Sequence, residues 1–272
     1  MTSYNEEDII EKTIMRLADQ GVGVYVIDNW SSDSAFDQIK QFLGDKVIGI
    51  ERFPPEGPRQ TFDLRNLLKR VEQVSSEIRA DWFVHHNVDE EKDSPWPNTS
   101  LRYAFYHVDR QGFNAVDHTV LIFHPIDNSF EKGMTLGEHF KFFEFGTRPG
   151  HFTQIKAWKN FGQYVSHADS GGHEVVFKLR RVYPYKFILR HYLFRSQIHG
   201  ERKLFSERTS RWNHHERAIG WHTHYDHIIA GHIFLRNSNN LIKFDTNDFY
   251  TSYLIERLSG IGIQTLYKEG FE

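Results

Sequence analysis

Apolar residues recur at helical spacing in the first half of the chain, and short apolar runs lie between these segments. The amphipathic segments are residues 9–18, 36–43 and 64–74. Spacings of three and four positions place their apolar side chains on one helix face. The runs 22–27, 47–50 and 82–84 have the length of buried strands. Alternating strands and helices predict an α/β fold with a mainly parallel, Rossmann-like central sheet and flanking helices.

Two polar segments follow predicted strands. Residues 28–33 (Asp-Asn-Trp-Ser-Ser-Asp) come after the first run, and residues 87–90 (Asn-Val-Asp-Glu) after the third. Ligands of parallel sheets bind beyond the carboxyl ends of the strands. A ligand site is therefore expected where these two segments meet.

The start of the chain leaves little room for a strand before the first helix. Only Met1-Thr2-Ser3-Tyr4 precede Asn5, whereas a sheet of this kind normally has an apolar strand there. We therefore expect the first strand to be truncated to a stub.

The second half has a weaker pattern. Its predicted strands are 114–123, 154–158 and 174–179, and its predicted helices are 201–212 and 248–258. Residues 133–150, rich in Gly and Phe, are expected to form a long loop. Because the chain shows no repeat and no linker, residues 1–272 are interpreted as one domain.

Composition narrows the class of protein. The 272 residues include no cysteine, and a formal net charge of −3 argues against general affinity for nucleic acid. No apolar run approaches the roughly 20 residues that span a bilayer, and no secretory signal opens the chain. These features predict a soluble, cytoplasmic protein.

Residues 178–217 form a basic segment, with eleven Lys and Arg against three Glu. This charge fits a solvated helix face, a surface for ligand phosphates, or a surface for anionic membrane head groups.

The segment Asn87-Val88-Asp89-Glu90 carries the chemistry of a metal–diphosphate site. Carboxylate oxygens at a strand end suit Mg²⁺ or Mn²⁺ shared with substrate phosphates. Such a metal neutralises a departing diphosphate. An acidic turn before Pro95 is the alternative interpretation.

Three segments in order, residues 4–10, 26–33 and 87–90, resemble family 2 glycosyltransferases of the GT-A fold. The resemblance implies that Asn5, Glu6 and Asp28 contact the base or ribose of a nucleotide-diphosphate sugar, and that Asp89 binds a divalent metal, Mg²⁺ or Mn²⁺. Asn87 departs from the family pattern, which has Asp; its amide can coordinate or reach a ribose hydroxyl but brings no charge. Asn87 and Glu90 are also expected in the nucleotide-sugar site. Residues 1–125 would then bind the donor, and residues 126–272 would form the acceptor side with C-terminal helices.

Later segments, residues 170–174 and 191–196, resemble a bacterial subgroup of these enzymes. The resemblance implies inverting transfer to a saccharide or lipid-linked acceptor in cell-surface polysaccharide synthesis, with peripheral contact at the inner membrane surface. The implied roles are a general base at Glu174, with Asp169 as its substitute, and a metal ligand at His191, with His173 as its substitute. Arg195, His199 and Lys203 lie at roughly helical spacing, and from this spacing they are expected to present cations to the diphosphate.

Two alternatives remain open. The string His222-Thr223-His224-Tyr225-Asp226-His227 matches the His-x-His-x-Asp-His signature of zinc hydrolases. Those enzymes need further His and Asp ligands downstream, where this chain has only His232, Asp245 and Asp248. The other alternative is a degenerate, non-catalytic module that binds a nucleotide or a sugar.

Overall fold

The computed structural model describes residues 1–245, and the predicted α/β class is confirmed. A parallel sheet has the strand order β1-β2-β3. Helices α1 and α3 bury the apolar stripes that predicted them, including Ile10, Ile14 and Leu17 of α1. These elements are β1 (Thr2–Ser3), α1 (Ile10–Asp19), β2 (Val24–Asp28), α2 (Ala35–Lys40), β3 (Val47–Arg52) and α3 (Leu64–Glu77).

The first strand, β1, is present as a stub of two residues. Thr2 and Ser3 pair in parallel with Ile27 and Asp28 of β2. On its other side, Thr2 forms a parallel bridge with Asn87, which follows β4 (Trp82–Val84). The strand β1 therefore lies between β2 and the acidic segment, and it aligns their carboxyl ends.

The remaining strands form two further sheets, one mixed with order β11-β8-β7-β10-β5 and one antiparallel with order β4-β9-β6. Within residues 1–245, no helix is both long and apolar enough to cross a bilayer. The remaining elements are β5 (Glu90–Asp93), α4 (Leu101–Arg110), β6 (Ala115–Val116), β7 (His118–Phe123), α5 (Leu136–His139), β8 (Phe142–Phe145), α6 (Pro149–Phe152), β9 (Ala157–Lys159), β10 (Phe187–His191), α7 (Gln197–Glu201), α8 (His214–Ala218) and β11 (Ile242–Lys243).

The second half departs from the predicted elements. Residues 133–150 are not one long loop, since they hold α5 and β8, whose Phe143 is fully buried in the core. Residues 174–179 form no strand and make only single bridges, at Glu174 and Val176. The predicted helix 201–212 is instead the end of α7, a π-helical segment (Arg202–Arg208) and a 3₁₀ turn (Thr209–Arg211). The predicted helix 248–258 lies outside the described residues.

Candidate active site

The polar segments after β1 and β2 are joined by hydrogen bonds. The backbone N–H of Asn5 donates to Ser31 Oγ (3.0 Å), and the N–H of Ser32 donates to Asn5 Oδ1 (2.8 Å). Asn5 has a φ of +53°, a left-handed conformation that asparagine tolerates better than most residues. Asn5 thus holds the two segments together at the sheet edge, as its position after β1 requires.

Asp28 closes the turn after β2. Its Oδ2 accepts a hydrogen bond from the N–H of Ser31 (3.0 Å), and Arg52 Nε lies 3.6 Å from the same oxygen. The carboxylate is fully buried, and burial raises its pKa. Its recorded contacts shape the loop that surrounds the site.

A buried chain of charges links the segment after β1 to the acidic segment. Lys203 Nζ donates to Asp89 Oδ2 and to Glu6 Oε1, at 2.8 Å each. Arg195 Nη2 donates to the other oxygen of Glu6 at 2.5 Å. Burial alone would raise the pKa of Asp89, but the Lys203 ammonium and His191 hold it well below its usual range. Asp89 is therefore an ionised carboxylate.

Arg195 is anchored on two sides. Besides Glu6, it binds both carboxylate oxygens of Asp8, at 2.7 and 2.9 Å. Only 1% of Arg195 is exposed, yet its Nη1 has no hydrogen-bond partner among the described residues. A buried guanidinium with one free nitrogen is suited to bind an oxyanion, because an unsatisfied buried donor is costly.

The π-helical segment brings three charged side chains to the site. Besides Lys203, it carries Glu207, whose Oε1 accepts a hydrogen bond from Asn5 Nδ2 (3.1 Å), and the half-buried Arg208. Burial lowers the pKa of Arg208, but nearby Tyr225, Asp89 and Glu6 raise it above its ordinary value. π-Helical segments frequently mark functional sites.

His191 lies beside Asp89 because of strand pairing. It ends β10 and pairs with Glu90 at the start of β5. Its Nε2 lies 3.6 Å from Asp89 Oδ2, and its side chain is 24% exposed. An imidazole and a carboxylate at this separation can bind one divalent cation, whose other ligands come from phosphates and water. No group of three or more His, Asp or Glu in residues 1–245 is placed to hold a metal without such outside ligands.

Asn87 and Glu90 face into the protein. Asn87 Oδ1 accepts a hydrogen bond from Thr2 Oγ1 (2.8 Å), and its Nδ2 donates to Glu90 Oε1 (3.0 Å). Glu90 is also bound by Lys92 (2.5 Å) and Lys156 (2.7 Å), and all three side chains are buried. Burial would raise the pKa of Glu90, but the two lysines hold it well below its usual range. The amide at position 87 matches this cluster, since an aspartate there would face another carboxylate.

His199 is beside the site as a neutral group. Its Nδ1 accepts from the N–H of Arg195 (3.2 Å), and its Nε2 has no hydrogen-bond partner among the described residues. Burial and the nearby charges of Arg195 and Lys203 lower its pKa. Of the three residues expected to act as cations, Arg195 and Lys203 are charged and His199 is a neutral imidazole.

The proposed bases and the substitute metal ligand contact other groups. Glu174 pairs with Arg180 at 2.5 Å, and Asp169 pairs with Arg65 at 2.6 Å. His173 Nδ1 contacts the side-chain amide of Gln154 at 2.6 Å, and it lies within electrostatic range of His191. The structure thus brings together Asp89, His191, Lys203, Glu6 and Arg195. Among the described residues, Glu174, Asp169 and His173 make no direct contact with this group.

The side chains of the zinc-hydrolase string, residues 222–227, contact different partners. His222 Nε2 contacts Glu216 at 3.1 Å, and Asp226 pairs with Arg217 at 2.9 Å. His224 packs against Tyr225. The string therefore forms no metal cluster within residues 1–245.

The residues missed from the sequence are Asp8, Glu207, Arg208 and Arg211. Arg211 Nη2 donates to Asn29 Oδ1 (2.9 Å), and its guanidinium lies 4.2 Å from the ring centre of Tyr4. Glu207, Arg208 and Arg211 lie in the basic segment 178–217. The positive charge of that segment was the only feature of the sequence that pointed to them.

The chain matches no protein-family model and no curated protein sequence. Solved structures of TarS from S. aureus are similar to it at low level. One has a TM-score of 0.40 and 13% identity, over 71% of this chain and 36% of that chain. TarS 1–349 has a TM-score of 0.39 and 11% identity, over 70% and 58%. The same fragment in complex with UDP-GlcNAc has a TM-score of 0.32 and 15% identity, over 50% and 36%. The chain thus spans about a third to a little over half of these chains.

Proposed function

We propose that this chain is a glycosyltransferase that uses a nucleotide-diphosphate sugar. One observation carries the proposal: Asp89, His191, Lys203 and Arg195 converge at the carboxyl ends of β1, β2 and β4. This is where α/β sheets bind nucleotides. An ionised carboxylate and an imidazole beside buried cations, one with a free nitrogen, match the needs of a diphosphate and its counter-ion.

The pair Asp89 and His191 fits a divalent cation, Mg²⁺ or Mn²⁺. Their facing atoms are 3.6 Å apart. His191 ends β10, and Asp89 lies in the turn directly before β5. When bound, the cation would supply charge neutralisation to the leaving diphosphate. Since Lys203 contacts the same Asp89 oxygen, metal entry requires the ammonium to turn toward phosphate oxygens.

The chain's own residues would stabilise the leaving group. Lys203 and Arg195 are buried cations, and Arg208 is a half-buried one. Their attraction for the diphosphate would increase as negative charge builds up on it during departure. Asn5 and the turn after β2, together with Asp28, are the proposed contacts for the nucleoside. In that arrangement Arg211 and Tyr4 form a wall on which a base can stack.

The acceptor hydroxyl needs a general base. We assign Glu174, with Asp169 as the substitute, because both lie in the loop that carries His173 and that loop is within electrostatic range of His191. Proton removal there would accompany inverting attack on the anomeric carbon. The acceptor would be a saccharide or a lipid-linked saccharide in cell-surface polysaccharide synthesis. The basic residues of 178–217 would allow the cytoplasmic enzyme to contact the inner membrane surface.

The test combines binding with turnover. A thermal-shift screen of nucleoside diphosphates and their sugars, with and without Mn²⁺, should find ligands that raise Tm, because a bound ligand stabilises the folded state. The best nucleotide sugar is then assayed for release of nucleoside diphosphate. Metal-dependent release that His191→Ala reduces, and that His107→Ala does not, supports the proposal; His107 is the control because it is an exposed histidine of α4. Stabilisation without turnover would assign the chain to non-catalytic binding instead.

A further inference from the structure

A second group of basic side chains surrounds Tyr225, outside the group that centres on Asp89. Tyr225 is 7% exposed and ends a 3₁₀ turn. Arg208 Nη1 donates a hydrogen bond to the phenolic oxygen of Tyr225 (2.8 Å), and the guanidinium carbon of Arg148 lies 6.0 Å from the ring centre. The imidazole of His224 lies 4.0 Å from the same ring, centre to centre. Two cations and one imidazole thus surround a single buried ring.

The members of this group come from residues 126–272, the half of the chain that is expected to form the acceptor side. Arg148 lies between β8 and α6, and α6 packs against β7. Arg208 ends the π-helical segment, and His224 lies in the 3₁₀ turn. These elements are separate from the parallel sheet β1-β2-β3, whose carboxyl ends form part of the proposed nucleotide site. The group is therefore positioned by elements of the expected acceptor side.

The positive charge of this group is not compensated by carboxylates. Neither Arg148 nor Arg208 forms an ion pair with Asp or Glu among residues 1–245. Glu144, the acidic residue nearest to Arg148 in the sequence, pairs instead with His124 (2.9 Å). Neighbouring cations without counter-charges attract anions, and the N–H fork of a guanidinium matches two oxygens of a phosphate or a carboxylate. The group is therefore suited to bind an oxyanion.

His224 adds a neutral imidazole at the same place. Desolvation, followed by the positive charge of Arg148, lowers the pKa of His224 to about 3, although the residue is exposed at the surface. At pH 7 the ring therefore carries one N–H donor and one bare nitrogen. It can donate a hydrogen bond to an anion that enters from solvent.

This group adjoins the candidate active site and the loop of the proposed base. Arg208 lies within electrostatic range of Asp89. Gly150, in the helix that follows Arg148, packs closely on His173, since a Cβ at Gly150 would lie 3.1 Å from the imidazole. His173 belongs to the loop that is assigned to proton removal. An anion held by Arg148 and Arg208 would therefore lie beside both the diphosphate cations and the loop that serves the acceptor hydroxyl.

We propose that Arg148, Arg208 and His224 form a subsite for an anionic group of the acceptor, a phosphate or a carboxylate. Arg148 donates to two oxygens of this group, Arg208 adds a second positive charge, and His224 adds an N–H. The subsite selects anionic saccharides, because a neutral saccharide forms none of these charge-assisted contacts. That the group belongs to an acceptor rests on the proposed function, whereas the anion site itself does not.

Isothermal titration calorimetry of the full chain at pH 7, in a phosphate-free buffer of low salt, tests the subsite with glucose 6-phosphate, glucuronate and neutral glucose. An anionic sugar should bind at least roughly 10-fold more tightly than glucose, and Arg148→Gln should weaken its binding by roughly 10-fold, as expected for the loss of charge-assisted hydrogen bonds. Arg181→Gln is the matched control, because Arg181 is also an exposed arginine near a ring, 5.5 Å from the centre of Phe113. The control should bind the sugars as the wild type does.

The titration is then repeated with saturating Mn²⁺ and either UDP or GDP, whichever raises Tm more. The anionic sugar should still bind, and Arg148→Gln should still weaken it. Displacement of the sugar by the nucleotide would assign the anion to the donor and would overturn the proposal. Equal affinities of the wild type and Arg148→Gln, or no binding of either anionic sugar, would also overturn it. Binding of the sugar without binding of any nucleotide would contradict the proposed transferase and leave the anion site supported, so the two failures are distinguishable.

Discussion

Lys203 Nζ lies 2.8 Å from Asp89 Oδ2, and the pair joins a π-helical segment to the turn after β4 across 114 positions of sequence. The same ammonium binds Glu6 after β1. Three separate segments of the chain thus converge on one buried cation. Because the ammonium of Lys203 pairs with both carboxylates, a bound diphosphate would compete with Asp89 and Glu6 for this cation.

Asp89→Asn should cut release of nucleoside diphosphate from the nucleotide sugar by roughly 100-fold or more. The substitution keeps the size of the side chain but removes the charge that a metal and Lys203 require, and losses of this order follow removal of one electrostatic stabiliser. Initial rates at saturating Mn²⁺ measure the effect. Asp37→Asn is the matched control, since Asp37 is a surface carboxylate that also pairs with a lysine, Lys40. Near-normal turnover by Asp89→Asn would remove Asp89 from the proposed site.

Lys203→Met should lower the free energy of unfolding by about 3–5 kcal/mol at pH 7, because it removes the ammonium from buried Asp89 and from one oxygen of buried Glu6. The sign of the pH dependence follows from the pKa of Asp89. In the wild type that pKa is depressed, so its contribution is present above the unfolded pKa and is lost as pH falls through the folded value. In the variant the carboxylates take up protons more readily, so the difference between the two proteins should shrink toward pH 4.

Urea unfolding at pH 7 and pH 4 measures this difference. Lys40→Met is the control, since Lys40 pairs with exposed Asp37 and such pairs contribute little. If Lys203→Met were as stable as Lys40→Met at pH 7, the buried ammonium of Lys203 would contribute nothing to the stability of the folded state, and the prediction would be wrong.

The sequence predicted which segments lie together at the sheet edge better than it predicted the contacts of their side chains. Asp89 could be placed because an acidic segment after a short apolar run marks the carboxyl end of a strand. Lys203 was expected near the diphosphate from its spacing with Arg195, but a π-helical segment has no simple period in the sequence. Glu90 was expected to face the ligand. Its burial between Lys92 and Lys156 depends on β5 and on a segment 66 residues away, and local patterns carry no such information.

Stability should fall as pH drops from 6.5 to 5, the interval in which the histidines of the unfolded chain take up protons. Burial is the main cause that lowers the pKa of both His118 and His167 to about 3. Since unfolded histidine has a pKa of about 6.5, the unfolded state takes up more protons in this interval and stability is lost as pH falls. Each histidine should cost about 2 kcal/mol at pH 5.

Urea unfolding at pH 6.5 and pH 5 measures this loss. His118→Asn retains a donor for the carbonyl of Gln154 that His118 Nδ1 contacts (2.8 Å), and it should remove about 2 kcal/mol of the pH-dependent loss. An exposed histidine, His215, provides the control substitution to Asn, which should leave the slope unchanged. An unchanged slope in His118→Asn would mean that His118 is protonated in the folded state.

Asn87→Asp should destabilise this chain. Asn87 Nδ2 donates to Glu90 Oε1 at 3.0 Å, and an aspartate would replace that donor with a second carboxylate inside a buried cluster. We expect a loss of about 2 kcal/mol or more in the free energy of unfolding at pH 7, and a smaller loss at pH 4.5, where one of the two carboxyl groups takes a proton.

Asn66→Asp is the matched control, because Asn66 Nδ2 donates to Asp63 in the same way but at an exposed helix start. Solvent screens the new pair there, so its effect should be a few tenths of a kcal/mol. If Asn87→Asp were as mild as Asn66→Asp, the buried cluster would have room for a further charge, and the amide would not be explained by Glu90. If instead Asn87→Asp is strongly destabilising yet Mn²⁺ restores its Tm, the added carboxylate has become a metal ligand beside Asp89. The substitution therefore separates a structural role of the amide from a metal-binding role of this position.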